Sequence, residues 1–179
     1  MKLTIITINY NSADNTLKLL NSLAQQTDKN FQIVVVDNNS QDVDKLLNYT
    51  TLEDNLVFLR NHHNLGFSGG NNVGIKKALE TGVDWVVLLN NDTWVDNAFI
   101  SRLGPVLSSG KGIMSIPLVE GNKTAYCGKI EWFKSTLKHL YLLPKTYPLG
   151  SHNKYIRKQK LSQEKRVFVI SLLSPNGSR

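Results

Sequence analysis

The sequence contains little cysteine and no long apolar run. Cys127 is the single cysteine among 179 residues, so no intramolecular disulfide can form and no pair of thiolates is available for a structural zinc site. The opening stretch MKLTIITINYN has an apolar segment of only six residues, and no segment approaches the roughly 18 apolar residues that cross a bilayer. We therefore expect a cytoplasmic protein without a targeting segment.

Two phosphate-binding signatures are also missing. No G-x-G-x-x-G follows the first predicted strand, and G-x-x-x-x-G-K-[ST] occurs nowhere, which disfavours a Rossmann dinucleotide site and a P-loop. The histidines lack the spacing of metal ligands, since His62 and His63 are adjacent while His139 and His152 are distant. Cys127 has no histidine at a spacing typical of a catalytic pair. We therefore expect neither zinc nor cysteine-nucleophile chemistry.

Basic residues are concentrated in the last third of the chain. The net charge is +7, but residues 1–122 hold nine Lys and Arg against 12 Asp and Glu, whereas residues 123–179 hold 12 against two. Such a tail is found in nucleic-acid arms, in patches on anionic membranes and in merely solvated segments. It also carries aromatic residues, among them Trp132, Phe133, Tyr141, Tyr147 and Tyr155. A plain disordered polyelectrolyte would not have them, and docking to something anionic is one interpretation.

Apolar patterns of the strand and helix types alternate from residue 2 to about residue 119. Strands are predicted at Leu3–Ile8, Phe31–Asp37, Leu56–Arg60, Asp84–Leu89 and residues 112–119. A first helix is predicted after a cap at Asn11 or Ser12, with Leu17, Leu20, Leu23 and Ala24 on one face. Two more are predicted at Val43–Asn48 and at Val73–Glu80, and Gly82 ends the second of these. A fourth is predicted from Asp96 to Leu107, with Gly104 and Pro105 disturbing its last turn. This alternation predicts an α/β fold, an open and mostly parallel sheet with helices on both faces.

The pattern weakens after about Gly121. Residues 126–133 are predicted as a strand, residues 134–143 as a short helix or strand, and residues 165–173 as a final strand. We therefore divide the chain into residues 1–120, an α/β region, and residues 121–179, a basic C-terminal segment.

Polar residues end three of the predicted strands. Asn9, Tyr10 and Asn11 follow the first strand, Asp37, Asn38, Asn39 and Ser40 end the second, and Asn90, Asn91 and Asp92 end the fourth. The carboxyl ends of parallel strands border the ligand crevice of such sheets, so a polar ligand is expected there. The competing interpretation is that Asx and Ser residues simply form turns.

The glycine cluster and Asp92 are candidates for binding phosphate and a metal ion. The glycines Gly66, Gly69, Gly70 and Gly74 cluster near a helix start, where a backbone can approach a phosphate, although this signal is weak by itself. Asp92 suits a hard divalent cation held largely by substrate phosphates, with a turn or helix cap as the alternative role.

Four motifs together resemble one family. TINYN, VVDNNSQD, NLGFSGGNNVGI and VLLNNDTWV, in this order over about residues 1–120, closely resemble the family 2 glycosyltransferases of GT-A fold, especially the rhamnosyltransferase-like branch. In that family NND resembles the local form of the D-x-D motif. The resemblance implies that Asp92 ligates Mg²⁺ or Mn²⁺ on a nucleotide diphosphate, that Asn90 and Asn91 lie near the ribose and phosphates, that Asp37 accepts from the base and that Tyr10 stacks on it. It also implies a donor site that includes Asn9, Asn11, Asn39, Asn64, Gly66, Gly69 and Asn71.

The implied reaction transfers a sugar from a UDP- or dTDP-sugar to a hydroxyl of a saccharide or lipid-linked acceptor, with inversion, in polysaccharide or cell-wall glycan synthesis. Such a displacement needs a general base on the acceptor side. Relatives carry an E-D element for this, whereas the acids beyond Asn122 are only Glu131 and Glu164, so the catalytic base is unknown. We therefore expect a donor-binding half whose C-terminal, acceptor-side part is incomplete.

Further expectations concern the partners of the protein and its alternative functions. An exposed apolar face where the absent half would pack favours a homodimer, and the basic tail suggests peripheral contact with the inner face of a membrane. An inactive nucleotide-sugar binder or regulator is the alternative function. A nucleic-acid module is disfavoured, because the tail has no recognition motif.

Overall fold

The computed structural model describes residues 1–50, 54–109, 118–120, 123–125, 127–131, 136–140 and 166–167, with side chains in 1–49 and 54–108. The chain forms two compact units. One comprises Met1–Met114 and Arg166–Arg179, and the other comprises Ser115–Lys165. The predicted boundary near residue 120 stays a prediction, and the division in the structure falls between residues 114 and 115.

A parallel five-stranded sheet forms the centre of the first unit. Its strands are β1 (Leu3–Asn9), β2 (Gln32–Asp37), β3 (Leu56–Arg60), β4 (Trp85–Leu88) and β9 (Arg166–Val167), in the order β3-β2-β1-β4-β9. Every pairing in it is parallel. The runs Ile33–Val36 and Trp85–Leu88 are buried throughout, which is typical of strands covered on both faces. The predicted α/β fold with a mostly parallel sheet is confirmed.

Helices cover both faces of this sheet. They are α1 (Ala13–Ala24), α2 (Asp44–Thr50), α3 (Gly66–Glu80) and α4 (Phe99–Ser109), and α4 contains Pro105. Ala78 of α3 packs in one apolar cluster with Ile6 and Val36. Leu23 of α1 lies beside Ile33, whose side chain points to the opposite face because strand residues alternate.

The start of α1 differs from the prediction in its capping group. Ser12 is the N-cap residue, but its side chain makes no capping hydrogen bond. The amide of Ala13 instead donates to Asp42 Oδ2 at 2.8 Å, so the carboxylate of a neighbouring segment occupies the helix end. Leu20 and Leu23 are buried as predicted, whereas Leu17 and Ala24 are half-buried.

One exposed ion pair joins α1 to α2. Lys45 Nζ lies 2.8 and 3.0 Å from the two carboxylate oxygens of Asp14. The hydrogen bond from Lys45 and its charge lower the pKa of Asp14, and the same contact raises the pKa of Lys45. Because both side chains are exposed, water screens the pair and its contribution to stability is small.

The start of α3 is a larger correction. The helix begins at Gly66 rather than at Val73, so the glycine-rich stretch is its first part and not a loop before it. A Cβ at Gly74 would lie 2.5 Å from Ile6 Cγ2, and one at Gly70 would lie 3.0 Å from Asn38 Nδ2. These two glycines therefore let α3 lie close to the sheet. Gly82 follows α3 at φ 69°, as the predicted left-handed helix end requires.

Short strands make up the described part of the second unit. β5 (Leu118–Glu120) pairs antiparallel with β6 (Lys123–Ala125), and β7 (Cys127–Glu131) pairs antiparallel with β8 (Thr136–Leu140). The predicted fifth strand thus joins a two-stranded ladder and not the parallel sheet, and its residues 112–117 lie outside the described residues.

The strand predictions for the tail are confirmed where the structure describes them. The segment 134–143 contains a strand, which decides between the two alternatives, and β9 lies within the predicted segment 165–173. The rest of these segments lies outside the described residues. None of the helices that the structure describes is long and apolar enough to traverse a bilayer.

Candidate functional site

A cleft opens at the carboxyl ends of β1, β2 and β4. It has a volume of about 310 Å³, at the lower end of the range for small-molecule pockets. Its apolar lining consists of Ile8, Leu88 and Leu89, which continue the buried strands. Its other lining residues are Tyr10, Asn38, Asn64, Gly66, Phe67, Asn71, Asn90, Asn91 and Asp92. The parallel strands thus bring their polar ends to one crevice, where sheets of this kind bind ligands.

A buried polar network supports the rim of this cleft. Asn9 Nδ2 donates to Asp37 Oδ1 at 3.0 Å and lies 2.9 Å from Ser40 Oγ. The Ser40 amide donates to Asp37 Oδ2 at 3.0 Å, and Arg60 Nε lies 3.7 Å from the same oxygen. Asp37 is fully buried, so these groups replace the water that its charge would otherwise require.

Asn38 connects the end of β2 to the start of α3. Its Nδ2 donates to the Gly66 carbonyl at 3.1 Å, and its Oδ1 accepts from Asn61 Nδ2 at 2.7 Å. Asn64 Oδ1 accepts from the Gly66 amide at 2.8 Å, which fixes the turn that leads into α3. The amino end of α3, with its partial positive charge, therefore stands beside the cleft.

Two aromatic side chains on the cleft are unusually open to solvent. Tyr10 is 50% exposed and Phe67 is 49% exposed, and both line the cleft. The sequence motif identified Tyr10, but Phe67 was not recognised as a candidate. The signal that could have found it is an aromatic residue within a glycine-rich helix start, since exposed rings there provide flat faces for stacking.

The carboxylate of Asp92 differs from that of Asp37 in having no hydrogen-bonding partner within the described side chains. It is exposed on the cleft. The side-chain amide of Asn90, which also lines the cleft, likewise has no hydrogen-bonding partner among the described side chains. In the part of the chain with described side chains, no three His, Cys, Asp or Glu residues cluster as a metal site. One carboxylate beside amides fits a hard cation held mostly by substrate oxygens, and does not fit a resident metal centre.

The structure brings seven of the 12 predicted site residues together on the cleft: Tyr10, Asn64, Gly66, Asn71, Asn90, Asn91 and Asp92. Asn38 also lines the cleft, although no motif distinguishes it from Asp37 or Asn39. The other five predicted residues are not on the cleft lining: Asn9, Asn11, Asp37, Asn39 and Gly69.

These five residues have internal roles in the structure. Asn11 and Asn39 adopt positive φ angles of 50° and 65°, so the turn interpretation describes them, and Asn11 Oδ1 accepts from the Gln41 amide. Asn9 and Asp37 are buried in the rim network. Gly69 faces Leu65, whose Cβ would lie 2.6 Å from an added Cβ. Asp37 does not line the cleft, and its contact with a base stays a prediction.

The predictions for the tail concern residues beyond those with described side chains. They include Trp132, Phe133, Tyr141, Tyr147 and Tyr155, and the two acids Glu131 and Glu164. Membrane contact therefore stays a prediction, and no catalytic base is assigned.

Comparisons with known proteins identify the same family that the four sequence motifs resemble. Residues 4–165 match glycosyl transferase family 2. A "dTDP-rhamnosyl transferase RfbF" from Shigella flexneri is 27% identical over 118 residues, which are 62% of this chain and 37% of the relative. The glycosyltransferase GlyA from Streptococcus pneumoniae is 26% identical over 104 residues, which are 57% of this chain and 14% of the relative. The chain thus spans well under half the length of these relatives.

The chain is also similar to solved structures of another protein. The crystal structure of S. aureus TarS aligns with 64% of this chain and 21% of its own at a TM-score of 0.56 and 26% identity. A crystal structure of TarS residues 1–349 in complex with UDP-GlcNAc aligns with 65% of this chain and 35% of its own at a TM-score of 0.54 and 25% identity.

Proposed function

Because this chain belongs to glycosyl transferase family 2, we propose that its cleft binds a nucleotide-sugar donor for transfer of the sugar to an acceptor hydroxyl with inversion. The observation that carries the proposal is the meeting of Tyr10, the amino end of α3 and Asp92 on one crevice. These groups match the three parts of such a donor, namely a flat base, a diphosphate and its counter-ion.

The described residues suggest a role for each part of the cleft. Tyr10 and Phe67 offer ring faces to a pyrimidine, and their half-exposed state leaves those faces accessible. The amino end of α3 favours negative charge, and no acidic residue in its first turn opposes a phosphate. Asn90 and Asn91 would then lie beside the ribose and the phosphates. UDP and dTDP both fit these roles, and TarS has been crystallised with UDP-GlcNAc.

Asp92 is the residue that would hold Mg²⁺ or Mn²⁺. Its exposed carboxylate supplies one hard oxygen ligand, and the diphosphate would supply others. A divalent ion there would neutralise the negative charge of the departing nucleoside diphosphate. The contribution of the protein is to hold the carboxylate at the tip of β4, next to the amino end of α3.

The acceptor is proposed to be a saccharide or a lipid-linked saccharide in polysaccharide or cell-wall glycan synthesis. The name of one relative, a dTDP-rhamnosyl transferase, supports sugar transfer from a nucleotide donor and says nothing of the acceptor. Peripheral membrane contact through the basic tail is consistent with a lipid-linked acceptor, and is tested by co-sedimentation with anionic and neutral vesicles at two salt concentrations.

A panel of donors tests the proposal. Calorimetry or thermal shift is measured with UDP-, dTDP- and GDP-sugars, with and without Mn²⁺, on the wild type, Asp92→Asn and Asp44→Asn. Asp44 is an exposed carboxylate at the start of α2 that does not line the cleft, so its variant is the matched control. We expect Mn²⁺-dependent binding of a pyrimidine donor to the wild type and to Asp44→Asn, and its loss in Asp92→Asn. Equal binding by all three proteins would remove Asp92 from the donor site.

A second candidate function is a nucleotide-sugar binder without turnover. One observation favours it: among the described residues that line the cleft, Asp92 is the only acidic one. If Asp92 holds the metal ion, no described carboxylate of the cleft remains to take the proton of an acceptor. Measuring turnover beside affinity separates this candidate from the transferase.

A further inference from the structure

A chain of side-chain hydrogen bonds runs from the tip of β4 to the end of β2. Asn91 Nδ2 donates to Thr16 Oγ1 at 3.0 Å, and Thr16 Oγ1 donates to Asn9 Oδ1 at 2.8 Å. Asn9 Nδ2 then donates to Asp37 Oδ1 at 3.0 Å. Thr16, Asn9 and Asp37 are all fully buried, so water cannot substitute for the two bonds among them, whereas the bond to Asn91 is only partly buried because Asn91 lines the cleft.

Thr16 Oγ1 is the one atom in this series of hydrogen bonds that both accepts and donates. Its hydroxyl accepts from Asn91 while giving its own proton to Asn9, and this fixes the orientation of both amides. The other contact of the Asn91 amide, with the Ser12 carbonyl, is longer at 3.4 Å. The hydroxyl of Thr16 is thus the closest anchor that α1 gives to the segment after β4.

Asn91 lies between Asn90 and Asp92, two cleft residues whose side-chain polar groups have no partner among the described side chains. The segment is folded as a turn, since Thr93 Oγ1 donates to the Asn90 carbonyl at 2.7 Å. That bond is internal to the turn and does not fix its place on the sheet. The bond between Asn91 and Thr16 connects the turn to the buried network.

We propose that Thr16 is a positioning residue, which acts through Asn91 to hold the Asn90–Asp92 turn where it receives the metal-bound diphosphate of the donor. The inference rests on the proposed function. Thr16 does not line the cleft, and neither its sequence position nor the motifs of the chain mark it as a site residue.

The chain offers a matched control for the loss of this hydroxyl. Thr7 is also fully buried, but its Oγ1 has no hydrogen-bonding partner within the described residues. Thr7→Val and Thr16→Val therefore make the same chemical change, but only Thr16→Val breaks hydrogen bonds that the described residues make. Thr16→Ser keeps the hydroxyl and serves as the conservative variant.

Affinity for Mn²⁺-UDP and Mn²⁺-dTDP is measured by calorimetry on the wild type and these variants. We expect Thr16→Val to weaken the better-bound nucleotide about tenfold, the upper end of the effect of losing the hydrogen bond to Asn91, and the bond to Asn9 is lost with it. Thr16→Ser and Thr7→Val should stay within about twofold of the wild type. Equal affinities for Thr16→Val and Thr7→Val would overturn the inference.

A double-mutant cycle separates positioning from general damage. If Thr16 acts through Asn91, then Asn91→Ala and the double variant Asn91→Ala/Thr16→Val should bind with equal affinity. Losses that simply multiply would show that Thr16 acts by another route and would contradict the proposal.

A measurement without ligand distinguishes failure of the inference from failure of the proposed function. The side-chain NH₂ signal of Asn91 in a ¹⁵N NMR spectrum, assigned by its absence in Asn91→Ala, reports the hydrogen bond directly. We expect it to shift in Thr16→Val and to stay in place in Thr7→Val. A wild type that binds neither nucleotide would refute the donor site, and an Asn91 signal unmoved in Thr16→Val would refute the positioning role.

Discussion

At the scale of single residues, two aspartates that look alike in the sequence have opposite surroundings. Asp37 and Asp92 both follow buried strands and both have asparagine neighbours. The carboxylate of Asp37 is fully buried and accepts from Asn9 and Ser40, whereas that of Asp92 is exposed on the cleft. A carboxylate with internal donors stabilises the fold, and one without them is available to a ligand.

This contrast predicts different effects of the same isosteric change. Asp37→Asn should lower the free energy of unfolding by about 2–4 kcal/mol, because an amide cannot satisfy the Ser40 amide and the Asn9 side chain as a buried carboxylate does. Asp92→Asn should change it by less than about 0.5 kcal/mol, as is usual for an exposed side chain. Urea unfolding followed by circular dichroism measures both. A stable Asp37→Asn would mean that the rim network contributes little to the fold.

The sequence could not separate these two residues. Turn chemistry and strand ends are local signals, and they predicted correctly that polar side chains meet at one rim. Burial of Asp37 depends on Asn9 and Arg60, which belong to other strands. Asn38 was predicted only as part of the polar rim and Phe67 was missed, since their place on the cleft depends on how α3 meets the sheet.

At the scale of elements, the glycines of α3 serve helix packing as well as the cleft. Gly70 and Gly74 are buried against the sheet, and Gly66 begins the helix at the cleft. The sequence predicted the strands well, because continuous Val and Ile runs are typical of buried parallel strands. It placed the start of α3 too late, because glycine has low intrinsic helix propensity and only contact with β1 and β2 overrides it.

The packing role of Gly74 is tested by adding one methyl group. The new Cβ would lie 2.5 Å from Ile6 Cγ2 and 3.2 Å from Val36 Cγ2. We expect Gly74→Ala to cost about 3 kcal/mol in overpacking, against about 1 kcal/mol gained in helix propensity, and so to destabilise by about 2 kcal/mol. Asn72→Ala, on the exposed side of the same helix, should instead stabilise by about 0.5 kcal/mol. Thermal and urea unfolding of both variants measure these changes, and a Gly74→Ala variant as stable as the wild type would show that α3 does not pack tightly against Ile6 and Val36.

At the scale of the whole molecule, the cleft lies within the first unit. All its lining residues fall between Ile8 and Asp92. The curated relatives are much longer, since the matched segments make up 37% of one and 14% of another. The proposed donor site therefore lies in a part of the chain that has its own sheet and core, and most of the length of these relatives lies outside the matched segments.

This arrangement predicts that the 179-residue chain binds a donor much better than it transfers the sugar. Binding needs only the cleft, and donor at 100 times its dissociation constant should stabilise the fold by about 2.7 kcal/mol, an effect that EDTA removes if a metal ion joins the diphosphate to Asp92. Transfer also needs a base that takes the proton of the acceptor hydroxyl, a contribution of typically 10²–10⁴ in rate. The test measures nucleoside diphosphate release with and without saccharide acceptors, beside a thermal shift on the same sample. Stabilisation without acceptor-dependent release is the expected result, and rapid release that depends on an acceptor would mean that the chain supplies its own base.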